Sequence, residues 1–322
     1  MAITEKNRIE FIDLAKGICI TLVVALHAVP ELDIYLPFLP YMRMPLYFCL
    51  SGLFYKDYGS FKNFTIKKLN NILIPFVAWY VIGCVIYFIG RKLLPGDHEA
   101  EFYFGDVLFQ NSIYNLPIWF LMSLFWSNIL FAIVNLISKK WYWQFPIVVG
   151  FALIGLAFSH FRIFNFLYIG MSMTSMPFFF MGYMLKKTAL LYPSESKKRD
   201  FIIMCLFLMV GLFFAFWPDD TPTIIYFSNK IEGGHQEIFY ICGISFVVSL
   251  LLLSKFIKHV PFITWIGRYS IIVLVTHSLL INLFRPLLLR TPVGNLERIT
   301  VSLIVLALVF LIMFFVIPFC IK

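Results

Sequence analysis

The stretch DLAKGICITLVVALHA, Asp13 to Ala28, decides how the chain is read. It is apolar enough for hydrocarbon, yet Asp13 and Lys16 stand near one end and His27 near the other. At 3.6 residues per turn, the steps from Lys16 to His27 close about three full turns. The two side chains then share one helix face, roughly 16 Å apart along the axis, with Asp13 within about 60° of both. An Asp or Lys at the centre of an inserted helix costs about 2.5–3.5 kcal/mol. Such groups face a bundle interior or a wet cavity. The alignment therefore predicts a polar passage along this face. The plainer alternative is a structural i,i+3 pair of Asp13 with Lys16, and a His27 that merely sits at an interface.

The surrounding composition puts this helix in a bilayer. Of the 322 residues, 61% are hydrophobic and 13% charged, against about 45–50% and about 25% in soluble domains. That excess predicts an all-α membrane protein, one transmembrane domain over residues 1–322. A span needs about 20 apolar residues to cross roughly 30 Å. Runs near 11–30, 40–55, 72–90, 116–138, 144–160, 164–185, 201–217, 238–254, 266–289 and 299–320 predict a bundle of about ten transmembrane helices. The second and seventh are short for a full span.

Loop charges alternate. Lys56, Lys62, Lys67 and Lys68 mark one side, with Lys139 and Lys140, the group Lys186, Lys187, Lys197, Lys198 and Arg199, and then Lys255 and Lys258. Lys6, Arg8 and Lys322 join them. The intervening loops carry Glu31 and Asp33, then Asp97, Glu99, Glu101 and Asp106, then Asp219, Asp220, Glu232 and Glu237. The positive-inside rule predicts that both termini are cytoplasmic. It also accounts for the net charge of +9 without nucleic acid, for which no soluble basic face is available. Asp13 and Lys16 interrupt the early apolar run, so the first helix is read as retained and not as a cleaved signal. The six cysteines all fall in apolar stretches, none at metal-ligand spacing, and read as small packed hydrophobes. No Walker loop, His-Glu-x-x-His or Gly-rich dinucleotide turn is present. No metal and no bound cofactor is expected.

Several stretches, in order, resemble the acyltransferase-3 family of integral membrane O-acyltransferases. Asp13 followed by Lys16-x(10)-His27 resembles its opening, with Lys where the family has Arg. Met44–Tyr55 (MPLYFCLSGLFY), Lys67–Tyr80 (KKLNNILIPFVAWY), Leu116–Leu124 (LPIWFLMSL) and Ile266–His277 (IGRYSIIVLVTH) resemble its later motifs. The first quarter is most similar to the branch associated with fucose and cell-surface polysaccharide O-acetylation.

The resemblance implies a multi-pass protein of the bacterial inner membrane. It implies acetyl-CoA as cytoplasmic co-substrate and a cell-surface or lipid-linked glycan as acceptor. His27 becomes either the general base or an acyl-carrying nucleophile, since neutral imidazole suits both tasks. Asp13 would hold Lys16 in place. Lys16, Lys67, Lys68 and Arg268 are the cations expected for the donor phosphates, unless the last three only fix orientation. Lys lacks the planar fork of Arg, which weakens its grip on a phosphate. Arg43 either polarises the acyl carbonyl or binds the acceptor, or sits at the interface. Ser51 is a polar site group or a small helix contact. Trp119 stacks on a sugar or lipid, or anchors the interface. His277, on one face with Ser270, is a second proton carrier or a packed histidine. Oligomeric state is left open. A glycan or solute transporter is the alternative, although such proteins often have paired halves with matched broken helices, which are not evident.

Overall fold

Almost every apolar run becomes a helix, because in hydrocarbon each backbone N–H and C=O must find its partner within the segment. The computed structural model describes residues 9–36, 38–93, 115–161, 166–187, 196–217, 224–225, 231–232 and 236–321. Lys6, Arg8, His98, Asp219, Asp220, His235 and Lys322, with the acidic residues of 94–114, lie outside the described residues.

The helices in chain order are α1 (Glu10–Ala28), α2 (Leu32–Tyr35), α3 (Leu39–Leu53), α4 (Phe61–Lys68), α5 (Ile74–Leu93), α6 (Trp119–Ile137), α7 (Trp141–His160), α8 (Ile169–Thr174), α9 (Met176–Leu185), α10 (Lys197–Ala215), α11 (Gln236–Ile257), α12 (Pro261–Arg268), α13 (Ser270–Leu289) and α14 (Arg298–Ile321). A π segment, Leu69–Leu73, joins α4 to α5. Two short strands, β1 (Ile224–Ile225) and β2 (Ile231–Glu232), pair antiparallel. Among the described residues, seven helices are long and apolar enough to cross a bilayer. Large apolar side chains stay uncovered, such as Phe213 of α10 and Phe315 and Phe319 of α14, an arrangement suited to lipid and not to water.

The remaining apolar runs depart from plain spans for local reasons. Helix α3 has 15 residues and encloses Pro45. Helix α10 begins with Lys197, Lys198, Arg199 and Asp200, so its apolar part is shorter than its length. The run at 164–185 breaks twice. Leu167 and Tyr168 are left-handed, with φ of 46° and 61°, and the chain turns again at Ser175, directly before α9, whose first turn holds Pro177. The run at 266–289 does supply one of the seven, α13, but only after an interruption at Tyr269, which separates it from α12.

The chain forms two compact units. Unit 1 comprises Met1–Leu46, Leu190–Trp217 and Ile241–Lys322; unit 2 comprises Tyr47–Ala189 and Pro218–Tyr240. In unit 1, α10 and α11 form an antiparallel pair. Asp200 meets Lys255, Ser249 donates to the Met204 carbonyl, and Cys242 donates to the Gly211 carbonyl. Helix α1 packs on α12, α13 and α14. In unit 2, α6 meets α8 through Ser123 and Ser172, whose hydroxyls are 3.1 Å apart. Tyr55, Phe131, Phe179 and Tyr183 form an aromatic cluster there.

Candidate functional site

Helix α1 carries polar groups at both ends, and unit 1 gives each end its partners. At the first end, α1 and α12 cross at two glycines. A Cβ on Gly17 would overlap the carbonyl oxygen of Ile263, and one on Gly267 would overlap that of Asp13. Only hydrogen at these Cα atoms lets the backbones come this close, the small-residue contact common between membrane helices. The crossing brings Arg268, the last residue of α12, to Asp13. Its Nε lies 3.9 Å from Asp13 Oδ2, while Lys16 Nζ lies 3.5 Å from Oδ1. The carboxylate is buried, and each cation keeps 25% of its side chain exposed. One buried anion thus holds two cations whose outer faces stay accessible. Such a pair suits a further anion, for which charge-assisted hydrogen bonds are roughly twice as strong as neutral ones.

At the other end, His27 packs edge-on against His277 of α13, with 5.2 Å between ring centroids and 68° between planes. His277 is fully buried, and its Nδ1 lies 2.8 Å from the Val273 carbonyl oxygen one turn earlier. Arg43 of α3 is buried and close enough for its charge to act on the His27 ring. The Cys19 thiol donates to the Arg43 carbonyl at 2.9 Å, which ties that part of α3 to the middle of α1. Arg285 of α13 donates to the Ala28 carbonyl, one of the carbonyls left open where a helix ends. From Asp13 beside Arg268, where α12 gives way to α13, the contacts pass to His27 beside His277 and to Ala28 beside Arg285. Helix α1 therefore runs parallel to α13.

Six of the sequence candidates, Asp13, Lys16, His27, Arg43, Arg268 and His277, accordingly lie in unit 1. The other four belong to unit 2. The Ser51 hydroxyl accepts from Asn128 Nδ2 at 3.1 Å, and a Cβ on the adjacent Gly52 would overlap the Phe179 carbonyl oxygen. Trp119 is buried, with Phe120 and Tyr168 as ring neighbours. Lys67 is exposed on α4, and Lys68 lies over the Phe64 ring, 5.3 Å from its centroid.

Sequence reasoning missed Arg285. The signal was available: an arginine inside an apolar helix, directly before Pro286, is a functional candidate by default. It also missed the buried Asp200, held by Lys255 at 2.9 Å and by Arg199 at 3.4 Å.

The acyltransferase-3 family model, described as an acyltransferase domain, matches residues 9–321. No curated protein matches the chain. The family match spans both units and nearly every described helix; together with the seven helices able to cross a bilayer, it means that the chain belongs to the acyltransferase-3 family and is a multi-pass membrane acyltransferase.

Proposed function

We propose that the protein is an O-acetyltransferase of the bacterial inner membrane. It moves an acetyl group from cytoplasmic acetyl-CoA to a hydroxyl of a cell-surface or lipid-linked glycan. The observation that carries this reading is the division of α1: a cation pair around Asp13 at one end, a pair of imidazoles at the other. Ten crossings with both termini cytoplasmic would put the cations on the cytoplasmic side. The alternating loop charges support that orientation, as does a parallel α1 and α13. The whole chain, 1–322, works as one catalytic domain.

Lys16 and Arg268 hold the phosphates of coenzyme A, which are multiply charged and need cations. Asp13 keeps both in place. The thioester then extends along α1 toward His27. A sugar hydroxyl is a weak nucleophile until its proton is taken as attack begins. His27 removes that proton, and the oxygen forms a bond to the acetyl carbonyl carbon. Negative charge develops on the carbonyl oxygen, where the Arg43 guanidinium stabilises it. The carbon–sulfur bond breaks, the thiolate takes the proton from His27, and the glycan ester and free coenzyme A depart. General-base help of this kind is worth about 10²–10⁴-fold. A relay through an acyl-His27 uses the same groups in two steps.

For Lys67 and Lys68 as further donor cations, and for Ser51 and Trp119 as acceptor contacts, the support is the resemblance of their motifs. The likeness of the first quarter to the fucose-modifying branch supports a glycan acceptor.

The test is acetyl transfer from labelled acetyl-CoA in membrane vesicles of expressing cells, which contain their own glycans. Mass spectrometry then identifies the glycan that gains one acetyl group. His27→Ala should abolish the label in the glycan fraction while the protein remains folded. Wild-type labelling in that variant would sink the proposed role of His27. Solute accumulation without acetyl-CoA would instead favour a transporter.

A further inference from the structure

His277 is fully buried, yet only one of its ring nitrogens is accounted for. Its Nδ1 is bonded to the Val273 carbonyl. A carbonyl only accepts, so Nδ1 carries the hydrogen, and in a neutral imidazole Nε2 is then an acceptor. That Nε2 has no hydrogen-bond partner among the described residues. A buried polar atom left in this state calls for a reason. The ring packed against it is that of His27, at 5.2 Å between centroids. This is close to the span of two imidazoles joined nitrogen to nitrogen, with roughly 2.9 Å between the nitrogens and a ring radius on either side. His27 itself is half-buried, and a turn of its ring about the Cβ–Cγ bond would bring the two nitrogens together.

We propose that His277 is a positioning residue for His27, its Nε2 accepting the hydrogen of one His27 nitrogen so that the lone pair of the other is aimed at the acceptor hydroxyl. The inference rests on the reading of His27 as general base. Which ring nitrogen of a histidine is protonated is set by the bond that the other nitrogen makes. His277 can set it because its own tautomer is fixed by the Val273 carbonyl and its ring is held by burial. A catalytic group must be locked in this way by the residues behind it. As the acceptor hydroxyl loses its proton to His27, both His27 nitrogens carry hydrogen. The Nε2 of His277 keeps one of these bonds throughout, and the transferred proton leaves from the other nitrogen to the departing thiolate. His277 itself neither gains nor loses a proton.

Two substitutions separate this role from packing. In His277→Gln the amide oxygen reaches the place of Nε2 and preserves an acceptor toward His27. In His277→Asn the shorter amide reaches the place of Nδ1 and preserves the bond to Val273 instead. Transfer is measured from labelled acetyl-CoA in vesicles of expressing cells, per amount of folded protein, with His27→Ala alongside. The expected result is that His277→Asn loses about 100-fold or more in maximal rate with little change in the KM for acetyl-CoA. His277→Gln should retain at least about ten times the rate of His277→Asn. Equal losses, or a better Asn variant, would overturn the proposal and leave His277 as packing. An active His27→Ala variant would instead remove the general-base reading, so the two failures are distinct. Where either His277 variant folds poorly, nitrogen-15 NMR of ring-labelled wild-type protein decides. A single His27 tautomer bonded to His277 supports the proposal, and a mixture of tautomers overturns it.

Discussion

The Cα of Gly267 lies so near the Asp13 carbonyl that no side chain can stand between α12 and α1. This approach sets how far Arg268 must reach to find the Asp13 carboxylate, 3.9 Å away. Gly267→Ala should therefore force the helices apart. Overpacking typically costs about 1–3 kcal/mol, and here the obstacle is backbone, which yields less than a side chain. A lower unfolding temperature in detergent is expected, together with a raised KM for acetyl-CoA. An unchanged unfolding temperature would mean that the crossing is looser than described.

Lys16→Ala should raise the apparent KM for acetyl-CoA about tenfold or more, since a hydrogen bond to a charged group is worth roughly 1.5–3 kcal/mol. Its maximal rate should change much less. Lys16→Arg should bind the donor at least as well, because the guanidinium can grip phosphate in two places. Steady-state kinetics over a range of acetyl-CoA concentrations checks both. A fall in maximal rate with unaltered KM would place Lys16 outside the donor site.

Arg285 closes the end of α1 one residue after His27 through the Ala28 carbonyl. Removing it by Arg285→Met leaves that carbonyl open and loosens the last turn of α1. The maximal rate should fall, by about tenfold, with little change in acetyl-CoA KM; a shift of a catalytic group by about 1 Å can cost far more. Arg285→Lys should recover part of the loss. Wild-type rates in Arg285→Met would show that the last turn of α1 holds without this bond.

Asp200 is buried beneath Lys255 in the α10–α11 pair. Lys255→Met should destabilise the protein by about 3–5 kcal/mol, the usual consequence of stranding one member of a buried ion pair. Adding Asp200→Leu should restore much of that stability. Thermal unfolding of the single and double variants measures the difference, and a single variant as stable as wild type would mean that Asp200 is held well enough without Lys255.

Much of the candidate site could be read from the sequence because helical periodicity is a local property. Asp13, Lys16 and His27 fall on one face by counting alone. The partners could not be read in the same way. Arg268 joins Asp13 through a glycine crossing between helices far apart in the chain, and neither Gly17 nor Gly267 announces its counterpart. His277 was visible as an ionisable group in a span, but its pairing with His27 depends on α1 and α13 running side by side. The apolar runs located the helices and hid their interruptions. Tyr269 breaks a stretch that reads as one span, and Leu167 and Tyr168 turn left-handed with no glycine to signal it. Apolarity records what dissolves in lipid, and it says little about where the backbone bends.

Because Lys16 and His27 sit on one unbroken helix of 19 residues, the distance between them behaves like a ruler with fixed graduations. Tilting that ruler in a thicker or thinner bilayer changes the depth of both marks but not their separation. A single alanine inserted between Val23 and Val24 would swing His27 by about 100° relative to Lys16 and lengthen the gap by only about 1.5 Å. Angular register along this rod is thus far less forgiving than its length.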